Sequence, residues 1–268
     1  SIACIGATDT GRHLPDAAEL LPFGDVLVEK PLAATAAGLA EFARQVQAAG
    51  RRVAVAHYLR FTEGLTYVRR TLPVLGAIDA VRVECQSFLP DWRPGRDYRA
   101  SYAARSDEGG VLRDLVHEID YVVWLLGCPR ALYALLHNSG RLGIDADETA
   151  ALLWVAPEGA RVSLRLDYLT RQPRRRLWIA GEHGEIEWDI LASTAELRLA
   201  GKRPEPQKLS DDRDAVLERL LRAFLGDGGA GGELASLEEG ASAVALLDAA
   251  RRSSASGRAE VVQDWRLT

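Results

Sequence analysis

Short apolar runs alternate with helically spaced residues over the first 60 positions. Residues 2–7 (IACIGA), 25–29 (DVLVE) and 52–56 (RVAVA) are compact apolar runs bounded by turn signals. Runs of this length predict buried strands. Between them, residues 13–21 and 35–49 carry apolar side chains at helical spacing, and Gly50 offers a left-handed stop to the second helix. Strand–helix–strand–helix–strand predicts parallel pairing through right-handed crossovers, one half of a doubly wound sheet.

Beyond residue 60 the pattern changes. A helix is predicted over 63–71 and a strand over 79–88, then an irregular segment rich in Pro, Arg and Tyr over 89–107. A helix over 111–126 follows, then strands at 131–138, 149–155, 161–168, 176–180 and 185–189. A helix over 212–225, a glycine-rich surface loop over 226–232 and a last helix over 236–254 complete the chain. No strand precedes the glycine-rich loop, so it is not a phosphate cradle. Strands in succession predict an open, mainly antiparallel sheet. The expected fold class is therefore α/β plus α+β. A partial Rossmann-type parallel sheet occupies 1–60, and an α+β substrate and oligomerisation domain occupies 61–268, its last helix packing back on the first domain. No internal repeat is present.

The chain has 268 residues, 47% hydrophobic and 26% charged, enough for one large or two modest cores. A net charge of −5 argues against nucleic-acid or membrane-surface partners. No apolar run reaches the roughly 18–20 residues of a membrane helix, and no signal peptide is visible. Cys4, Cys85 and Cys128 are widely spaced without a CxxC pair, so neither a zinc site nor a disulfide framework is indicated. Reduced thiols in the cytoplasm and no metal are the expectation. Methionine is absent and Ser1 leads directly into a strand-like run; the expectation is a chain that begins inside a domain.

Ligands of an open parallel sheet bind outside the carboxyl ends of its strands. Three such ends are legible: Ala7-Thr8-Asp9-Thr10, Glu29-Lys30-Pro31 and His57-Tyr58. Lys30 directly after a buried strand aims an ammonium into the crevice, where a desolvated Lys suits general acid or base work. The competing reading is that Glu29 and Lys30 are solvated loop charges. In the 111–126 helix, Leu112, Leu115, Val116, Ile119, Val122, Val123 and Leu126 form an apolar stripe. Asp114, His117, Glu118 and Tyr121 fall opposite. Asp114 and His117, three apart, are placed to touch, and a carboxylate beside an imidazole raises its basicity. A hydroxyl-to-carbonyl oxidation needs such a base. The competing reading is the polar face of an amphipathic helix.

Other candidates carry less. His13 is either a helix cap or a ligand contact. His137 and His183 are read as structural or solvated. The run Arg171, Arg174, Arg175, Arg176 is read as a solvated hairpin, or else as a site for an anionic partner. Arg93, Arg96 and Arg99, interleaved with Trp92 and Tyr98, precede the His-bearing helix and are candidates for substrate contact.

Together these residues resemble the Gfo/Idh/MocA oxidoreductases, the glucose–fructose oxidoreductase and inositol dehydrogenase type. Residues 7–13 (ATDTGRH) resemble the family's ATPxxxH segment, with Asp9 where proline is usual. Residues 26–32 (VLVEKPL) resemble its VLVEKPL signature, 109–120 its GGxxxDxxxHxxD helix, and SLEEGASAVALLDAARRSSASGR its final helix. The resemblance implies an NAD(P)-dependent dehydrogenase or reductase acting on a sugar, polyol or nucleotide sugar. It implies Lys30, His117 and Asp114 as catalytic residues. Thr8, His13, Glu29 and Lys30 would border the NAD or NADP, and Tyr98, Arg99, Asp114 and His117 the substrate. It also implies a homodimer or homotetramer through the C-terminal sheet. The stretch WRPGRDYRASYAARSDEGGVLRDLVHEIDYVVWLLG is similar to members of surface-glycan and nonulosonic acid pathways, implying an activated or acidic sugar.

Two departures stand out. Asp114 and His117 are three apart where many members have four, and no GxGxxG precedes the EKP segment. That fingerprint seats the pyrophosphate, so roughly 60–80 residues, one βαβαβ half, are expected upstream. The chain alone is expected to bind cofactor weakly and to expose residues 2–7 as a hydrophobic edge. The alternatives are a non-catalytic sugar-binding relative, an NAD-dependent redox-neutral glycoside hydrolase on the same fold and, least favoured, an interaction module. A decayed site would have lost one of Lys30, Asp114 and His117.

Overall fold

A computed structural model describes residues 2–226 and 233–265. Of the glycine-rich loop, residues 227–232 lie outside the described residues. The first elements are β1 (Ile2–Gly6), α1 (His13–Leu20), β2 (Gly24–Val28), α2 (Leu39–Ala49) and β3 (Val53–Val55). The three strands pair in parallel, in the order β1-β2-β3. Residues of β2 and β3 alternate between two apolar layers. Val26, Val28, Val53 and Val55 meet Ala17, Phe42 and Val46 of α1 and α2. Leu27, Ala54 and Ala56 face the other way, onto Val216, Leu220 and Phe224. A parallel sheet covered on both faces explains the unbroken apolar runs.

One expectation holds and one changes here. Strand β1 forms the exposed hydrophobic edge expected of residues 2–7, with Ile2 63% and Ile5 57% exposed. The second helix starts at Leu39 rather than Thr35. Gly38, left-handed at φ 82°, interrupts the alanine-rich run, and the Ala36 amide donates to the Asp248 carboxylate instead of to a helix.

The remaining elements are α3 (Glu63–Thr71), β4 (Ile78–Phe88), α4 (Val111–Asp114), α5 (Val116–Leu126), β5 (Ala131–His137), β6 (Thr149–Val155), β7 (Arg161–Asp167), β8 (Leu169–Gly181), β9 (Gly184–Asp189), β10 (Thr194–Leu199), β11 (Glu205–Lys208), α6 (Arg213–Leu225), β12 (Ala235–Ser236), α7 (Leu237–Ser256) and β13 (Glu260–Val261). Nine strands form one sheet in the order β11-β10-β9-β8-β4-β7-β6-β5-β13. Its pairings are antiparallel except β4 with β7. One face packs on α5 and α7 through Ile119, Val122, Leu246 and Ala250.

Strand β8 is longer than its apolar pattern predicts. Its first half, with Pro173 and the arginine run, pairs with β4 across a register shift between Gln86 and Phe88, where a proline is tolerated. Strands β10 and β11 escaped the pattern, β11 because all four of its residues are exposed at the sheet edge. The chain then returns to the first sheet. Strand β12 pairs with β3, and Leu237, Ala241 and Val244 of α7 join the α1–α2 layer. Ser236 and Glu239 cap α7 reciprocally. Among the described residues, no helix is long and apolar enough to cross a membrane.

Candidate active site

The carboxyl ends of β1, β2 and β3 point toward α4 and α5. After β2 comes Glu29-Lys30-Pro31, with the Lys30–Pro31 bond cis. The Glu29 carboxylate accepts from the Lys30 amide at 3.2 Å. His13 is buried rather than displayed: Nδ1 lies 2.7 Å from the Pro31 carbonyl and Nε2 3.0 Å from the Thr8 carbonyl. It therefore clips the β1 end to the turn carrying Lys30.

The predicted 111–126 helix is two helices. Leu115, at φ −97° and ψ 27°, leaves the helical region. In an unbroken helix the Asp114 carbonyl would accept from the Glu118 amide. Instead that amide goes to the Leu115 carbonyl at 3.2 Å, and the Asp114 carbonyl accepts from Lys30 Nζ at 2.7 Å. The break thus creates an acceptor for the ammonium.

The glycine pair before it is sterically required. A Cβ on Gly109 would come within 2.1 Å of the Tyr102 carbonyl, and one on Gly110 within 2.4 Å of Asp147 Oδ1. Gly110 also sits at φ 93°. Asp147 caps the short helix, accepting from the Val111 and Leu112 amides.

Asp114 does not serve His117. Its Oδ2 accepts from the Tyr168 hydroxyl at 2.6 Å, and the Tyr102 phenol lies beside the same carboxylate. Burial first, then that carboxylate, raise both phenols above their usual range. The expected Asp114–His117 contact fails because the break at Leu115 turns the two side chains apart. The amphipathic reading of the helix fails as well, since every residue from Val111 to Val122 is buried.

His117 lies against the end of β3. Its ring meets Tyr58 edge-on at 4.7 Å and His57 edge-on at 5.5 Å. Its Nδ1 is buried with no hydrogen-bond partner. Burial, reinforced by the Lys30 ammonium, His57 and Arg175, holds His117 neutral, well below the usual imidazole range. Burial likewise takes His57 down to about 4, although Asp120 opposes the shift. Asp120 itself receives Arg60 twice, at 2.9 and 2.6 Å, and Arg60 reaches Glu239 at 2.9 Å.

In the arginine run, Arg171, Arg174 and Arg176 are exposed, as the solvated reading expects, and Arg175 is the exception. Arg175 turns inward from β8 and donates from Nε to Glu118 Oε1 at 2.7 Å, with its Nη1 3.5 Å from the Tyr58 hydroxyl. Arg171 lies over Phe88, its guanidinium carbon 4.1 Å from the ring centroid. Tyr98 and Arg99 share the Leu142 carbonyl, at 2.9 and 3.3 Å, so both tie the 89–107 segment to a neighbouring loop. Arg93 and Arg96 are exposed. His57, Tyr58, Arg175 and Tyr168 are the site neighbours that helix and strand periodicity did not single out. Only the position of His57-Tyr58 at a strand end pointed to the first two.

Among the described residues, no group of three or more His, Cys, Asp or Glu is placed to hold a metal. A groove of about 1590 Å³ runs along the end of α5, strands β5 and β6 and residues 259–265, with Arg60 and Asp120 on its wall. A smaller pocket of about 430 Å³ lies between α1 and α2, beside Thr10 and Thr35. Neither is lined by Lys30 or His117.

Residues 73–187 match the model of the GFO/IDH/MocA C-terminal domain. The whole fold is similar to that of an oxidoreductase domain protein from Kribbella flavida, with a TM-score of 0.83 at 19% identity over 97% of this chain and 80% of that one. It is also similar to the WlbA dehydrogenase from Bordetella pertussis in complex with NADH and UDP-GlcNAcA. There the TM-score is 0.77 at 24% identity, over 97% and 79% of the two chains. An inositol dehydrogenase homolog from Azotobacter vinelandii, complexed with NADH and myo-inositol, gives 0.80 at 17% identity over 97% and 77%. No curated protein sequence is significantly similar to this one. Residues 73–187 thus carry a GFO/IDH/MocA C-terminal domain, and the chain around it shares the fold of these structures.

Proposed function

We propose that the protein is an NAD(P)-dependent oxidoreductase that moves a hydride between nicotinamide and the hydroxyl or carbonyl carbon of a sugar, polyol or nucleotide sugar. The observation that carries this reading is the nearness of Lys30 and His117: an ammonium fixed by the Asp114 carbonyl at 2.7 Å, close enough to add to the burial that keeps the imidazole neutral. The cofactor and the substrate class draw support from the similar structures that hold NADH with UDP-GlcNAcA or with myo-inositol.

The residues present fit a nicotinamide. They lie at the strand ends where an open parallel sheet takes its ligand, and the break at Leu115 leaves the Asp114 carbonyl free to hold the Lys30 ammonium there at 2.7 Å. Thr8, Glu29 and Lys30 would border the cofactor, which would supply the hydride acceptor or donor, with His13 buried behind them and fixing the turn. His117 takes the proton of the substrate hydroxyl, because a neutral imidazole is the base form. Lys30 donates a hydrogen bond to the same oxygen and stabilises the charge that develops on it. Asp114 acts through its carbonyl, which aims Lys30, and through its carboxylate, which orders Tyr168 at the substrate side. Tyr98 and Arg99 shape the wall of the substrate site through the Leu142 loop.

The test is a screen of the protein, produced from its complete reading frame, with NAD and NADP against sugars, polyols and nucleotide sugars. Substrate-dependent change in nicotinamide absorbance is the expected result. Cofactor binding without any net reduction or oxidation across the panel contradicts the reading.

A further inference from the structure

His57 and His117 stand edge to face, ring centroids 5.5 Å apart and planes at 83°. His57 is 1% exposed, and neither of its ring nitrogens has a hydrogen-bond partner; nor does Nδ1 of His117. Buried polar atoms are nearly always paired, and each orphan costs stability, so three in one contact call for an explanation. The carboxylate beside them is Asp120, whose Oδ2 is 3.5 Å from His57 Nδ1. Asp120 cannot drift: Arg60 grips both its oxygens, and Glu239 of α7 holds Arg60. A line of groups therefore runs from the α7 cap through Arg60, Asp120 and His57 to His117.

We propose that His57 is a positioning residue for His117, with Asp120 as its anchor. The Nδ1–H of His57 turns to Asp120, which leaves His57 Nε2 as a lone-pair acceptor for the Nδ1–H of His117. One pair of contacts then satisfies all three orphan nitrogens. It also fixes His117 in the tautomer whose Nε2 carries no proton, the form that accepts one. This rests on the reading of His117 as the acid/base group. In the oxidation direction the substrate O–H bond breaks and the His117 Nε2–H bond forms. A bound oxidised nicotinamide would supply the hydride acceptor that balances oxidation of the carbon to C=O, and His57 would share the imidazolium charge with Asp120. The charged groups around the pair are Lys30 after β2, Arg60 before α3, Asp120 on α5 and Arg175 on β8. Three cations oppose the imidazolium; Arg175 neutralises Glu118, whereas Asp120 and Glu239 share the single charge of Arg60, so that cluster keeps one net negative charge, which reaches His117 through His57.

The test is nitrogen NMR on the full protein with ¹⁵N-labelled histidine. The sequence has five histidines, and the His117 signals are those lost in His117→Asn. The expected result is a wild-type His117 with Nδ1 protonated and Nε2 bare. His57→Phe should give a mixed tautomer, and His57→Gln, which keeps a donor and an acceptor, should restore the wild-type pattern. If the Phe variant does not fold, His57→Ala carries the same comparison. In turnover, His57→Phe should lower kcat about 10-fold or more with little change in KM, and move the acid limb of the pH profile. Unchanged His117 nitrogen shifts and an unchanged acid limb in the Phe or Ala variant would overturn the proposal and leave His57 a packed core residue. The NMR arm needs no turnover. Full activity in His117→Asn would instead sink the acid/base reading, a distinguishable failure.

Discussion

Arg175 of β8 and Glu118 of α5 form an ion pair at 2.7 Å, and Glu118 has no exposed surface. Burial disfavours the Arg175 charge, yet Glu118 outweighs it and holds the guanidinium protonated. The pair pins the large sheet to the helix that presents His117. Breaking one side leaves an uncompensated buried charge, so Arg175→Met should cost about 3–5 kcal/mol in urea unfolding. Pairing it with Glu118→Leu should recover much of that loss. A single-variant cost below about 1 kcal/mol would show that the pair is solvated.

The glycine pair gives a second prediction. Gly109→Ala drives a Cβ into the Tyr102 carbonyl, and Gly110→Ala adds a strained φ to a clash with Asp147. Each should destabilise the fold by about 2 kcal/mol or more, read as a fall in thermal midpoint. Turnover should fall further than stability does, because this turn sets the carbonyl that aims Lys30.

Acid should unfold the protein early. His57 titrates at about 4 when folded and near 6.5 when unfolded, and His117 is lowered in the same sense. Below pH 6.5 the unfolded chain binds protons that the folded chain refuses. Stability is therefore full above that pH and is lost as pH falls toward 4. His57 accounts for roughly 3 kcal/mol of the loss. Urea midpoints measured from pH 7.5 to 4.5 check this: His57→Phe should flatten the slope, and an equal slope in the variant would contradict the assignment.

Much of this was legible in the sequence. The parallel strands and the strand end that carries Lys30 were readable because each has a local backbone consequence. The break at Leu115 was not, since its stabilising partner Lys30 is 84 residues away. Arg175 was misread for the same reason: Glu118 lies 57 residues from it, and a run of arginines shows no period that turns one inward. Asp114 was given to His117 on helical spacing, while the structure gives it to Tyr168, 54 residues on.

The large sheet also carries an uncovered apolar face. Tyr133 and Leu153 are directly paired, 36% and 55% exposed, with Leu135, Val155 and Val261 exposed around them. Apolar patches of this kind mark contact surfaces, and we propose that a second copy covers this one in a homodimer or homotetramer. Leu153→Asp should shift the mass seen by light scattering toward the monomer; a wild-type monomer at micromolar concentration would refute the interface.

In the proposed reaction Lys30 and His117 act on one substrate oxygen. The most direct measurement is hydride transfer followed by nicotinamide absorbance in a single turnover, comparing Lys30→Ala and His117→Ala with the parent protein. Each substitution should slow the transfer by about 100-fold or more, while cofactor affinity changes far less in His117→Ala. Transfer at parental rates in either variant would contradict it.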